Sequence, residues 1–236
     1  MQGLILAGGH GSRLAADGIA TPKALVEVAG RPQVVRLVET FAELGCETIT
    51  CMVREGIPTG WSAKVSGTEV SVRSCRTPSS LHTLAAGLAV APPGPVFCAM
   101  VDTVMPADDW WNVYQAVTVR LAIGSLAVLA ITPFVDDELP VYVSRDEAGF
   151  ATEVSDTVPP PGGVPLVSGG VYRFSPMARR LAGVAVGSLH RMRAFLTLLV
   201  DLKLPVSTVE VPRIIDLDHK RDLDAAEAWL TARVSR

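Results

Sequence analysis

Charge and aromatic rings are both scarce in this chain: of 236 residues, 19% are Asp, Glu, Lys or Arg and 6% are Phe, Trp or Tyr. The net charge of −3 provides no basic face for nucleic acid or an anionic membrane. Cysteine is sparse as well. Cys46, Cys51, Cys75 and Cys98 have no C-x-x-C spacing and mostly sit in apolar runs, which argues against a zinc site and for reduced, buried thiols. No apolar run is long enough to span a bilayer. The most apolar stretch, Leu121 to Val135, is interrupted by Pro133 and reads as a buried strand. The start of the chain carries no basic n-region and no cleavage site, so no leader is expected. Against these absences stands a hydrophobic content of 49%, enough for a sizeable core and incompatible with global disorder. A soluble, cytoplasmic α/β protein is expected, built as one large domain or two small ones.

The most informative stretch lies at the beginning. An apolar run, Leu4 to Ala7, breaks into Gly8, Gly9 and Gly11, with Ser12 and Arg13 directly behind. A buried strand that ends in glycines brings bare backbone N–H groups toward whatever lies above the sheet edge, and converging N–H groups form a concavity for anions. Arg13 adds a planar cation suited to phosphate. A P-loop is excluded because no lysine follows the loop directly. The dinucleotide fingerprint is excluded because Leu14 stands where its third glycine belongs.

Gly8, Gly9, Gly11, Ser12, Arg13 and Leu14, followed by Pro22, Lys23 and Leu25, resemble the Gly-Gly-x-Gly-Ser/Thr-Arg-Leu and Pro-Lys-x-Leu motifs of nucleotidyltransferases. These are the enzymes of the NDP-sugar pyrophosphorylase and MobA-like type, which make NDP-sugars and similar activated compounds. The resemblance implies a single Rossmann-like, doubly wound mixed sheet of the nucleotide-diphospho-sugar transferase type over residues 1–236. Residues 1–135 would form the nucleotide-binding half, and 136–236 the acceptor half with a second metal motif. The alternation of elements agrees. A helix with apolar positions from Val34 to Leu44 precedes a strand over Glu47–Val53. A short strand at Val70–Arg73 is followed by a helix capped by Ser79 or Ser80. Val96 to Val101 shows no alternation and reads as a central parallel strand buried on both faces. Ala107 to Arg120 is an aromatic-rich helix in which Trp110 and Trp111 pack, and Ile123 to Ile131 is the next strand. Shorter strands then flank a turn at Asp146–Gly149, and Val158 to Gly163 is a loop. The strand Val167–Phe174 carries paired glycines. A helix over Leu189–Leu202, a strand over Val206–Val211 and an amphipathic helix over Arg221–Val234 complete the chain. Such alternation predicts right-handed crossovers.

Three aspartates stand out. Asp102 follows the buried strand, and ligands of open parallel sheets collect beyond the carboxyl ends of such strands. A carboxylate there, near a phosphate cradle, suits Mg²⁺. Asp216 and Asp218 lie two apart on a strand-like segment and share one face, where two carboxylates repel unless a cation separates them. Ile215 to Leu223 resembles the late acidic motif that supplies the family's second metal ligand, except that His219-Lys220 replaces a common Thr-Pro.

The resemblance assigns Arg13 and Lys23 catalytic roles, with Lys23 on a surface loop that faces the cradle. It assigns the nucleotide to Leu6, Ala7, Gly8, Gly9, Gly11, Ser12, Ser79 and Ser80, and the acceptor to Gly169 and Gly170. Asp102, Asp216 and Asp218 would hold Mg²⁺. His10 and His82 are weaker candidates, and Arg145 or Arg173 would meet the acceptor phosphate. Thr152 to Asp156 lacks the lysine that relatives often carry after the preceding turn. The activity implied is transfer of NMP from an NTP to a phosphorylated acceptor, a sugar 1-phosphate first. Phosphocholine or another phosphoalcohol is the alternative with CTP, molybdopterin nucleotidylylation a third choice, and a non-catalytic nucleotide-binding subunit the alternative of another class. The partners are an NTP and a phosphorylated small molecule, with no nucleic acid and no membrane; a homodimer is compatible with this. Base identity is not legible.

Overall fold

The structure, a computed structural model, describes residues 1–59, 65–135, 138–158 and 164–234. The first half of the chain runs β1 (Gln2–Ala7), α1 (Ser12–Ala16), a 3₁₀ turn at Lys23–Leu25, β2 (Glu27–Val28), β3 (Arg31–Pro32) and α2 (Gln33–Glu43). It continues with β4 (Thr48–Arg54), β5 (Glu69–Cys75), α3 (Ser80–Val90), β6 (Val96–Met100), β7 (Thr103–Val104) and α4 (Ala107–Ala122). The second half contains β8 (Ala127–Thr132), β9 (Tyr142–Arg145), β10 (Ala151–Ser155), β11 (Val167–Phe174) and α5 (Pro176–Ala185). It ends with α6 (Met192–Asp201), β12 (Val206–Glu210), β13 (Ile215–Asp216) and α7 (Lys220–Val234).

One nine-stranded sheet runs through both halves in the order β10-β9-β11-β6-β1-β4-β5, with β8 paired to β11 and β12. β1 sits between β4 and β6, parallel to both. Its side chains alternate between two apolar layers. Ile5 and Ala7 join the layer of α2 and α4, whereas Leu4 and Leu6 join that of α3, α5 and α6. Burial on both faces is why the strand reads as an unbroken apolar run. The expected doubly wound mixed sheet is therefore the fold. No helix among the described residues is long and apolar enough to cross a membrane.

Several local expectations need correction. β6 is buried on both faces but parallel to β1 only; β11 runs antiparallel on its other side. The strand expected from Ile123 begins at Ala127, because α4 continues to Ala122 and leaves Ile123 67% exposed before Gly124 turns the chain. Trp110 packs against Phe41 and Phe97, as expected, but Trp111 is half exposed. The helix expected from Leu189 begins at Met192, and α5 had no counterpart in the sequence reading. From residue 159 the Val158–Gly163 loop lies outside the described residues.

The last segment returns to the first half. β13 pairs antiparallel with β7, setting Ile215 opposite Val104 and Asp216 opposite Thr103. α7 holds it there through a separate apolar cluster of Val28, Val104, Ile215, Leu217, Ala226 and Leu230. The Arg213 guanidinium lies over Phe134 at 4.4 Å and over Trp229 at 5.0 Å, pinning the chain just ahead of β13.

Phe41 is fully buried on α2, with the Phe97 ring centroid 4.9 Å away. Phe41→Ala should lower stability by about 3–5 kcal/mol, through lost transfer energy and the cavity left behind; a urea titration measures the difference.

Candidate active site

The cradle starts where β1 ends. Gly11, at the N-terminus of α1, has φ +63°, and a Cβ there would lie 3.1 Å from Cβ of Lys23, so a side chain there would be both strained and crowded. Pro22 holds the chain extended (φ −52°, ψ 135°) into the 3₁₀ turn that begins at Lys23. The loop and the lysine therefore face one another, as expected. The side chain of Lys23, however, is not on the surface: the residue is 8% exposed.

Three carboxylates account for that burial. Lys23 Nζ lies 2.7 Å from Asp102 Oδ2, 2.6 Å from Asp218 Oδ1 and 3.6 Å from Asp216 Oδ1. The other oxygen of Asp218 accepts from Arg13 Nη1, and Arg13 Nε lies 3.8 Å from Glu138. Burial alone would pull the Lys23 ammonium down, but Asp102, Asp216 and Asp218 outweigh it and raise its pKa above the ordinary lysine value. At Asp218 burial pushes the carboxyl up, while Lys23 and then Arg13 prevail and hold it below the usual range.

Backbone bonds set the aspartates. The N–H of Leu217 donates to the Asp102 carbonyl at 3.1 Å, tying the late strand to the end of β6. The buried Asp222 carboxylate accepts from the N–H groups of Asp218 (3.1 Å) and His219 (2.6 Å), in the manner of a capping box, and fixes the turn into α7. His219 and Lys220 both engage Asp17. Its carboxylate receives Lys220 N–H at 2.9 Å and lies 2.9 Å from His219 Nδ1. Asp102, Asp216 and Asp218 can each turn one oxygen to within 4.8 Å of the others, the only such cluster among the described residues. Hard carboxylate oxygens at that spacing suit a hard divalent cation.

Three hollows meet here. The first is lined by Gly9, Gly11, Ser12, Arg13, Lys23, Asp102 and Asp218. The second lies between the loop and the start of α3, with Leu6, Gly8, Gly9, Ser79 and Ser80 in its walls. The third is lined by Thr132, Phe134, Ser168, Gly169, Ile214 and Asp216. A Cβ at Gly169 would fall 2.1 Å from Ile214 Cδ1, so a side chain there would have to displace Ile214. Gly170 packs against Thr103 and lines none of the hollows. Ala7 turns into the core beneath α2 and likewise lines none.

His10 lines both the first and the second hollow. His82 lies outside them, bonded to Ser79 Oγ at 2.9 Å and stacked on His190. Arg173 is buried and donates to Thr118 under α4, and Arg145 pairs with Glu210; neither reaches the hollows. Sequence reasoning missed Asp17, Thr77, Thr83, Glu138 and the role of Asp222. Of these only Asp222 had a local sign, its capping-box spacing after Asp218 and His219.

Comparison with known proteins gives the following likenesses. Residues 3–122, more than half of the chain, match the model of the MobA-like NTP transferase domain. Mannose-1-phosphate guanyltransferase of Pichia angusta is 43% identical over 53 residues, and that of Saccharomyces cerevisiae 42% identical over the same length. Those matches take in 22% of this chain and only 15% of each relative. The inositol-1-phosphate CTP transferase of T. maritima superposes with a TM-score of 0.79 at 15% identity, covering 100% of this chain and 96% of that one. A putative glucose-1-phosphate thymidylyltransferase of Bacillus anthracis gives 0.73 at 17% identity, covering 98% and 95%. At such identities the structural likeness is one of fold. The family match rests on the sequence itself, and by it the chain belongs to the MobA-like NTP transferase domain family of nucleotidyltransferases.

Proposed function

We propose that this chain transfers a nucleotidyl group from an NTP to a phosphorylated small molecule, a sugar 1-phosphate in the first instance, and releases pyrophosphate. The observation that carries this reading is the meeting of Arg13 and Lys23 from the start of the chain with Asp102, Asp216 and Asp218 in one cluster of ion pairs. The chain would act as a single domain, with the nucleotide on residues 1–135 and the acceptor on 136–236.

The chemistry asks little covalent help of the protein. A phosphomonoester is anionic near neutral pH. Its oxygen attacks the α-phosphorus, a P–O bond forms, and the bond to the pyrophosphate oxygen breaks on the opposite side. Positioning and charge neutralisation are what the protein adds. The N–H groups of Gly9, Gly11 and Ser12, with Arg13, would take the leaving pyrophosphate. Lys23 would face the α-phosphate, where a second anion must approach. Leu6, Gly8, Ser79 and Ser80 would enclose the nucleoside, and Gly169 would form a wall for the acceptor. Asp102, Asp216 and Asp218 would hold Mg²⁺, which when bound supplies positive charge to the phosphate oxygens. Sugar-phosphate and inositol-phosphate acceptors in the names of the similar proteins support this class.

One observation favours the second acceptor class. The hollow beside Gly169 has apolar walls in Phe134, Val167 and Ile214, and its one charged lining residue is Asp216. A phosphoalcohol body with few hydroxyls fits such walls better than a polyhydroxylated sugar ring, whose hydroxyls would need partners there. The non-catalytic alternative is disfavoured, since Arg13, Lys23 and Asp102 are retained and converge.

A screen of four NTPs against sugar 1-phosphates and phosphoalcohols with Mg²⁺ should release pyrophosphate with at least one pair; silence across the panel would refute the reaction. With the active pair, Asp102→Asn should reduce release about 100-fold or more while far-UV circular dichroism shows the fold kept. Unchanged turnover would remove Asp102 from the metal site. Lys23→Met leaves the three carboxylates without their ammonium. Mn²⁺, followed by electron paramagnetic resonance, should then bind the free protein about tenfold or more tightly than it binds the wild type, while turnover falls.

A further inference from the structure

The second hollow contains two hydroxyls whose protons can be assigned from geometry. Thr83, in the first turn of α3, is 3% exposed. Its Oγ1 has two polar neighbours, the Ser79 carbonyl oxygen at 3.1 Å and Thr77 Oγ1 at 2.6 Å. A carbonyl oxygen cannot donate, so both contacts are hydrogen bonds only when the Thr83 proton goes to Ser79. The 2.6 Å contact is then a hydrogen bond only with Thr77 as its donor. The single proton of Thr77 is thereby committed, and Thr77 Oγ1 has only a lone pair to offer the hollow.

Thr77 lines the hollow together with Gly8 and Ser79. The signature loop lies directly on the pair: a Cβ at Gly8 would be 2.8 Å from Thr83 Oγ1 and 3.6 Å from Thr77 Oγ1. The opening turn of α3 contributes N–H donors to the same wall.

We propose that Thr77, held as a pure acceptor by Thr83, selects a base with an exocyclic amino group over its keto counterpart, cytosine over uracil, and so CTP over UTP. This rests on reading the second hollow as the nucleoside site. An amino group facing Thr77 gains a hydrogen bond. A keto oxygen there sets two acceptors against each other in a partly desolvated place, a penalty worth roughly 10- to 100-fold in affinity.

Calorimetric titration of CTP and UTP, each with Mg²⁺ present, into the full chain tests the assignment. Wild type should bind CTP about 10- to 100-fold more tightly than UTP. Thr83→Val keeps the shape and frees the Thr77 proton to donate, so UTP should tighten and the ratio should shrink to within about threefold. Thr77→Val should weaken CTP while leaving UTP nearly unchanged, and being half-exposed it reads the ratio even if the buried Thr83 variant does not fold. Equal or tighter binding of UTP by wild type, an unaltered ratio in Thr83→Val, or binding of neither nucleotide would each overturn the assignment. If no NTP–acceptor pair releases pyrophosphate but the CTP preference and its loss in Thr83→Val hold, the reaction fails and the base assignment stands. Equal pyrophosphate release from CTP and UTP overturns the base assignment alone.

Discussion

A buried ammonium among three carboxylates is the interaction on which the rest of the site depends. Asp102, Asp216 and Asp218 would repel one another strongly if brought together alone, and Lys23 would be expelled from the interior if it had no partners. Each side makes the other tenable. Desolvation of such groups costs several kcal/mol per ion, and the pairing offsets that cost. The contact joins the first turn after the cradle to a residue 195 positions later. Local structure alone would not bring these segments together.

The apolar packing of α7 makes this long reach reproducible. The two-residue ladder between β7 and β13 is too short to hold a register by itself. Ile215 and Leu217 point into the cluster with Ala226 and Leu230, which leaves the alternate residues, Asp216 and Asp218, on the opposite face toward Lys23. Arg213 between Phe134 and Trp229 prevents a slip at one end, and Asp222 with Asp17 fixes the other. A slip of one residue would bury both carboxylates and expose the leucine. The period-two pattern Ile-Asp-Leu-Asp is thus both the packing code and the placement of the charges.

Much of this was legible in the sequence because its causes are local. The apolar run of β1, the glycines behind it and the Ser79 cap act within a few residues, and they appeared where expected. What escaped depends on partners far away. The direction of β11 beside β6 follows from the order in which strands enter the sheet, and the apolar run of β6 looks the same with either neighbour. Lys23 read as a surface residue because an amino acid's usual exposure ignores three carboxylates contributed by other parts of the chain. Arg173 read as a phosphate ligand, yet it lies under α4 against Thr118, since a positive charge in the sequence does not say which end of its strand it occupies. α5 was overlooked although Ser175 followed by Pro176 is a helix entry, and Ser175 does cap it. Asp17 and Glu138 carried no local sign at all.

The charges of the site also constrain how ligands can enter it. Asp102, Asp216 and Asp218 against Lys23 and Arg13 leave a net charge of −1 among these five groups, before Glu138 is counted. A triphosphate entering alone would meet carboxylates already neutralised in part, and could recruit Lys23 or Arg13 only by stripping them from Asp218. That exchange uncovers an oxygen pair with no remaining cation, which is costly at this depth. A divalent cation arriving alone must displace the same ammonium. Each ligand thus removes the obstacle to the other, because the cation takes the carboxylates and the phosphates take Lys23 and Arg13. Positive coupling of the two binding events follows from linkage, with no movement of the sheet required. The arrangement that keeps the empty protein stable is therefore also what makes the site answer poorly to either ligand alone.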